Sequence, residues 1–215
     1  MSKLEDLKRL KESGVVAVLR RVPKTKLFPL VETLVSAGVN VLELTVDSED
    51  AYQSIKELRD HFNDQALIGA GTVLTVEEAT QAIDAGAQFI FSPSFDEDVV
   101  NVSADRDVIS IPGVLTPTEM VKAHRVGADV VKIFPASAVG PKYLKDLQGP
   151  LGHIPMVPTG GVNVDNTASF IRNGAVAVGI GGSLIDKTLI EQEDWAGLKA
   201  KAEAFKTEVG KGRGA

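Results

Sequence analysis

The chain has 215 residues, 44% of them hydrophobic and 24% charged. That is enough apolar side chain for one compact domain and excludes a chain too polar to order itself. A formal charge of -6 and the absence of cysteine exclude a basic nucleic-acid face, disulfide stapling, thiol nucleophiles and thiolate metal sites.

The first residues, MSKLEDLKRLKESG, lack the apolar stretch of a signal peptide and read as a short N-terminal helix over residues 1–14. The longest aliphatic run, Val15 to Leu19, is far short of the roughly 18 residues that span a bilayer. A cytoplasmic protein without membrane or nucleic-acid partners is expected. Beyond the first helix, short Val- and Ile-rich runs recur at Val15–Leu19, Val41–Val46, Leu67–Ala70, Phe89–Ser92, Val108–Ile111, Val130–Phe134, Met156–Pro158 and Ala175–Ile180. Each is too short for a helix, and most are bounded by Gly, Pro or Asn, so they read as strands. Between them lie segments of helical period, such as Leu27-Leu30-Val31-Leu34, and helix starts such as Thr75-Val-Glu-Glu and Thr116-Pro-Thr-Glu. Apolar strands alternating with amphipathic helices predict a parallel sheet covered by helices. Eight such units predict a single-domain (β/α)8 TIM barrel over 1–215, with residues 210–215 as a disordered tail. An open doubly wound sheet is the structural alternative. Its dinucleotide form lacks the Gly-x-Gly-x-x-Gly signature after the first strand.

A repeat favours the barrel. Gly38-Val39, Gly86-Ala87, Gly127-Ala128 and Gly174-Ala175 precede strands 2, 4, 6 and 8 at intervals of 48, 41 and 47 residues, as helix caps in left-handed conformation would. Five residues beyond each glycine stand Glu43, Phe91, Lys132 and Gly179; seven beyond stand Thr45, Pro93, Phe134 and Gly181. Inward side chains from alternate strands of a barrel share a layer. Glu43 and Lys132 are therefore expected across one layer, with Thr45, Pro93 and Phe134 above it toward the C-terminal mouth.

Lys132 interrupts a strand otherwise built for burial, where a lysine needs a partner or a task. Desolvation releases its proton, and a free amine forms a Schiff base with a ketone. Glu43, equally anomalous in Leu42-Glu43-Leu44-Thr45, supplies the carboxylate that shuttles protons beside the imine. A purely structural ion pair is the alternative. The turns Pro158–Asn163 and Gly179–Ser183 follow strands 7 and 8, where barrels commonly hold phosphate on backbone N–H groups; tight turns without a ligand are the alternative. Arg20 ends strand 1 facing inward with Val16 and Val18, placed for a substrate carboxylate, while Arg21 is expected to point outward. Thr72 ends strand 3 as a carboxylate contact or a backbone cap. His61, His124 and His153 lie away from strand C-termini and are expected in solvent.

Val16-Ala17-Val18-Leu19-Arg20, Leu42-Glu43-Leu44-Thr45, Ile68-Gly69-Ala70-Gly71-Thr72-Val73, Phe91-Ser92-Pro93, the run Ile111 to Glu119, Val131-Lys132-Ile133-Phe134-Pro135-Ala136 and Pro158-Thr159-Gly160-Gly161-Val162 together resemble the KDPG/KHG aldolases. The resemblance runs from about Val15 to about Leu184. It implies a homotrimeric class I barrel, without metal or cofactor, that cleaves 2-keto-3-deoxy-6-phosphogluconate (KDPG) to pyruvate and glyceraldehyde 3-phosphate. 4-Hydroxy-2-oxoglutarate and the C4-epimeric phosphogalactonate are related substrates. Lys132 is implied as the Schiff-base lysine and Glu43 as the proton carrier. Arg20 and Thr72, with Lys132 beside them, are implied at the carboxylate, and Thr45, Pro93, Phe134 and Thr159 around the pocket. Gly160, Gly161, Gly181, Gly182 and Ser183 are implied at the phosphate. Some members carry an arginine four residues beyond the glutamate; here Asp47 stands there, which shifts carboxylate recognition onto Arg20. Competing readings are an isomerase-type barrel and a non-catalytic sugar-phosphate binder. Metal-dependent isomerases need His or Asp ligands at strand ends, and the chain offers no such set.

Overall fold

The computed structural model describes residues 2–214. Among the described residues nine short strands, β1 Val15–Leu19, β2 Val41–Thr45, β3 Leu67–Gly71, β4 Phe89–Phe91, β5 Ile109–Ile111, β6 Gly113–Val114, β7 Val131–Ile133, β8 Met156–Pro158 and β9 Val178–Ile180, alternate with helices. The helices are α1 Lys3–Ser13, α2 Lys24–Ser36, α3 Ala51–Phe62, α4 Val76–Asp84, α5 Glu97–Asp105, α6 Pro117–Arg125, α7 Gly140–Leu151, α8 Val164–Arg172, α9 Lys187–Glu191 and α10 Trp195–Arg213.

All strand pairings are parallel, in the orders β5-β4-β3-β2-β1-β9 and β6-β7-β8. Parallel bridges Met156–Ala175 and Thr159–Gly179 join β8 to β9. β5 and β6 are one barrel strand broken at Pro112, which has no N–H to donate to the ladder. β5 pairs with β4, and β6 pairs with β7. Across the break, the Lys132 N–H donates to Pro112 O at 2.9 Å. The ring therefore closes as eight parallel strands, the expected (β/α)8 barrel.

The cap glycines Gly38, Gly86, Gly127 and Gly174 have φ of 80°, 95°, 98° and 102°, so the repeat that fixed the register is the set of left-handed helix ends. Two apolar layers follow from it. One cluster packs helices on the outside of the sheet. The other fills the barrel, with Val16, Val41, Leu67, Phe89, Phe91, Ile109, Ile111, Val130, Val157 and Ala177 inward and Leu10 of α1 sealing the floor.

The tail departs from expectation over residues 210–214, and position 215 of the expected tail lies outside the described residues. Residues 210–213 form the last turn of α10, and Gly214 caps it at φ 85°. Arg213 Nη1 donates to Glu12 O at 2.9 Å, and Nη2 donates to Lys11 O. The C-terminal helix thereby ties itself to α1, and the order comes from these tertiary bonds. Among the described residues no helix is long and apolar enough to cross a membrane.

Candidate active site

Glu43 and Lys132 both point into the barrel above its apolar filling and are 0% and 4% exposed. The Lys132 ammonium nitrogen lies 4.2 Å from the centre of the Phe91 ring and 4.8 Å from that of Phe134, so the expected layer partner Phe91 is in contact. The glutamate owes its room to a glycine: a Cβ at Gly71 would lie 1.6 Å from Glu43 Oε1. Gly179 makes room for Thr159, whose Oγ1 would be 2.2 Å from its Cβ. Neither Glu43 oxygen has a hydrogen-bond partner among the described residues. A buried carboxylate without a bonded partner is costly to retain.

The electrostatics follow from that burial. Desolvation lowers the Lys132 pKa, with Arg20 adding to the fall and Glu43 opposing it. Desolvation raises the Glu43 pKa to about 7, against Lys132 and Arg20, with Asp47 adding to the rise. An amine that sheds its proton readily and a carboxyl that titrates near neutrality are suited to nucleophilic attack and to proton transfer.

Around the pair, the structure brings the other expected residues to the C-terminal mouth. Thr45 is buried and its hydroxyl lies 3.0 Å from Ser48 Oγ. Pro93 is half-buried, and its backbone fills the space a Cβ on Gly113 would need. Phe134 is 36% exposed and leans on the turn, with its ring 3.3 Å from where a Gly160 Cβ would stand. Thr159 is buried beside it. Gly160 and Gly161 have φ of 86° and 79°, a pair of left-handed residues that only glycine adopts without strain. Gly182 and Ser183 are exposed, in a turn where Leu184 N and Ile185 N both donate to Gly181 O at 2.9 Å. The Gly160-Gly161 and Gly181–Ser183 turns thus present open backbone at the rim.

Arg20 and Thr72 meet at the mouth, with Arg20 Nη2 donating to Thr72 Oγ1 at 2.7 Å. Arg21 overturns its expected outward direction. Its φ of 51° folds the side chain back, and Nη2 lies 3.0 Å from Asp47 Oδ2. Arg20 Nη1 reaches the same oxygen at 3.1 Å. Strand alternation could not reveal this, because a left-handed residue breaks the two-residue period. A cavity of about 530 Å³ opens beside this group, lined by Arg20, Arg21, Lys26, Gly181, Gly182 and Lys187 among others. A larger groove of about 770 Å³, between α1, α8 and α10, lies at the barrel's other end, away from the buried pair. His61, His124 and His153 stay outside the mouth; His124 and His153 stack edge-on at 5.4 Å. No group of three or more His, Cys, Asp or Glu that could hold a metal occurs among the described residues.

The KDPG and KHG aldolase family model matches residues 7–201. The chain belongs to that family. It is 33% identical to 2-dehydro-3-deoxy-phosphogluconate aldolase of Haemophilus influenzae, over 88% of this chain and 89% of the relative. It is 34% identical to 2-dehydro-3-deoxy-6-phosphogalactonate aldolase of Escherichia coli K12, over 79% and 83%. Among solved structures, KDPG aldolase of Legionella pneumophila, with pyruvate captured as a covalent carbinolamine, superposes with a TM-score of 0.86 at 28% identity, covering 93% of this chain and 97% of that one. As an aldolase the chain is a lyase.

Proposed function

We propose that Lys132 and Glu43 are the catalytic pair of a class I aldolase acting on KDPG, with 4-hydroxy-2-oxoglutarate as a related substrate. The observation that carries this reading is the buried layer itself, a proton-poor amine and a carboxyl near neutrality in one closed barrel. The Lys132 amine adds to the C2 carbonyl, and the carbinolamine loses water to give an iminium. Glu43 takes the proton of the C4 hydroxyl, the C3–C4 bond breaks, and its electrons flow into the iminium to form an enamine. Glyceraldehyde 3-phosphate leaves. Glu43 returns a proton to C3, and water releases pyruvate and the amine. Phe91 and Phe134, whose rings lie against the lysine nitrogen, stabilise the iminium through their π faces.

Arg20 and Thr72 receive the substrate carboxylate near Lys132. Gly160, Gly161, Gly181, Gly182 and Ser183 receive the phosphate on backbone N–H groups, and Thr45, Pro93, Phe134 and Thr159 shape the space between. The family resemblance of the sequence motifs extends the reading to a homotrimer, for which exposed Leu74 and Val76 offer apolar contacts. Light scattering of the purified chain checks the trimer.

Borohydride reduction in the presence of pyruvate, followed by mass spectrometry, tests the chemistry. An adduct on Lys132 is expected, and an unmodified Lys132 overturns the reading. Retro-aldol rates on KDPG, its C4 epimer and 4-hydroxy-2-oxoglutarate rank the substrates, and KDPG is expected first. EDTA should leave turnover unchanged, because the iminium replaces a Lewis acid; loss restored by a divalent ion would assign the chemistry to a metal.

A further inference from the structure

Consecutive residues on an extended strand send their side chains to opposite faces. Arg20 and Arg21 do not: the left-handed backbone at Arg21 delivers both guanidinium groups to Asp47 Oδ2, at 3.1 and 3.0 Å. That conformation costs a non-glycine residue about 1 kcal/mol or more. Two hydrogen bonds hold it: Arg21 N donates to Ser48 Oγ at 2.9 Å, and Arg21 Nε donates to Asp47 Oδ2 at 3.1 Å. Asp47 is ionised there. Burial alone raises its pKa, but the Thr45 hydroxyl, Arg20 and Arg21 outweigh that and leave it lowered. A bare Arg20–Asp47 pair is electrically neutral and attracts an anion poorly. With Arg21 the three-residue cluster has two cations and one anion, a net charge of +1.

We propose that Arg21 is a positioning residue for substrate recognition: tethered by Asp47, it restores the positive charge that Asp47 withdraws from Arg20, and so sets the affinity for the carboxylate of the 2-oxo acid. The proposal rests on Arg20 receiving that carboxylate, and the experiment separates the two. Pyruvate is titrated in the borohydride-trapping reaction, and both the half-saturating concentration and the rate at saturation are recorded. Arg21→Gly is the key variant, because glycine adopts this backbone without strain and the fold is retained. Its half-saturating pyruvate should rise about twofold to fivefold, the range for one unit charge removed from the neighbourhood of an anion in a solvent-exposed setting. The saturating rate should stay unchanged, and the rise should shrink at high ionic strength. Arg21→Gly combined with Asp47→Asn again leaves a net +1 on Arg20 and should return to the parent affinity.

Arg20→Gln serves as the control. If it raises half-saturating pyruvate and Arg21→Gly does not, the proposal for Arg21 fails while the role of Arg20 stands. If Arg20→Gln leaves pyruvate affinity unchanged, the carboxylate assignment fails and takes the proposal with it. If the double variant is no better than Arg21→Gly, Arg21 acts by contact and not by charge, and the electrostatic account is overturned.

Discussion

Burial displaces Lys132 and Glu43 in opposite senses, and the two displacements give the site its pH behaviour. In the proposed mechanism Glu43 is ionised when it accepts the C4 hydroxyl proton, so kcat/KM should rise with pH through about 7, the value its burial imposes. The acid limb of the pH–rate profile checks this. Stability responds to the same group. The folded state holds the Glu43 proton more tightly than the unfolded chain, whose glutamate titrates near 4.3. The stability this confers is fully present below that range and is lost as pH rises through about 7. Glu43→Gln does not titrate, so its melting temperature relative to the parent should improve between pH 5 and pH 8. Roles separate by substitution. Lys132→Met should abolish both the pyruvate adduct and turnover. Glu43→Gln should keep some trappable pyruvate while losing about 10²–10⁴-fold in turnover. Because Glu43 opposes the fall in the Lys132 pKa, trapping by Glu43→Gln should extend to lower pH than in the parent. An unchanged trapping profile would mean the two groups are not electrostatic neighbours.

Short glycine positions on the strands and turns decide where these side chains go. Gly71 ends β3 with its missing Cβ in the space of the Glu43 carboxylate, at 1.6 Å from Oε1. Gly71→Ala should therefore displace Glu43 and lower turnover far more than pyruvate trapping, an outcome read by comparing the two assays. At Gly161 the left-handed φ of 79° and a would-be Cβ 2.6 Å from Ser137 Cβ make any side chain reshape the turn. Gly161→Ala should raise KM for glyceraldehyde 3-phosphate much more than for unphosphorylated glyceraldehyde in the aldol direction; equal increases would leave the turn a purely structural element. Much of this was legible in the chain. The Gly-Ala and Gly-Val repeat marks left-handed helix ends, so counting from it placed Glu43, Phe91 and Lys132 at one level. Period-two counting fails where the backbone leaves the extended region, and so it misdirected Arg21. The break at Pro112 was hidden because β5 and β6 are each short and share one apolar run.

The barrel as a whole is closed at its floor by its own termini. Leu10 of α1 fills the end of the interior, and α10 packs along α8 and α2 before reaching α1. The sequence concealed this last contact. Gly210, Gly212 and Gly214 look like a flexible tail, yet small residues let the helix approach closely, and a Cβ at Gly212 would stand 2.6 Å from Ile171 Cβ. Helical order here is imposed by tertiary packing against weak local propensity. Removing residues 210–215 deletes Arg213 and its bonds to the Glu12 and Lys11 carbonyls, and with them the clasp between the two ends of the chain. These bonds are solvent-exposed, so their joint contribution is roughly 1–2 kcal/mol. At about 2–4 °C per kcal/mol for a domain of this size, the truncated chain should melt several degrees lower. The proposed catalytic mouth lies at the opposite end of the barrel, so kcat at 25 °C should stay that of the full chain. Arg213→Ala should reproduce most of the thermal loss. A truncated chain that melts with the parent would return this segment to the role of a tail and leave the floor to α1.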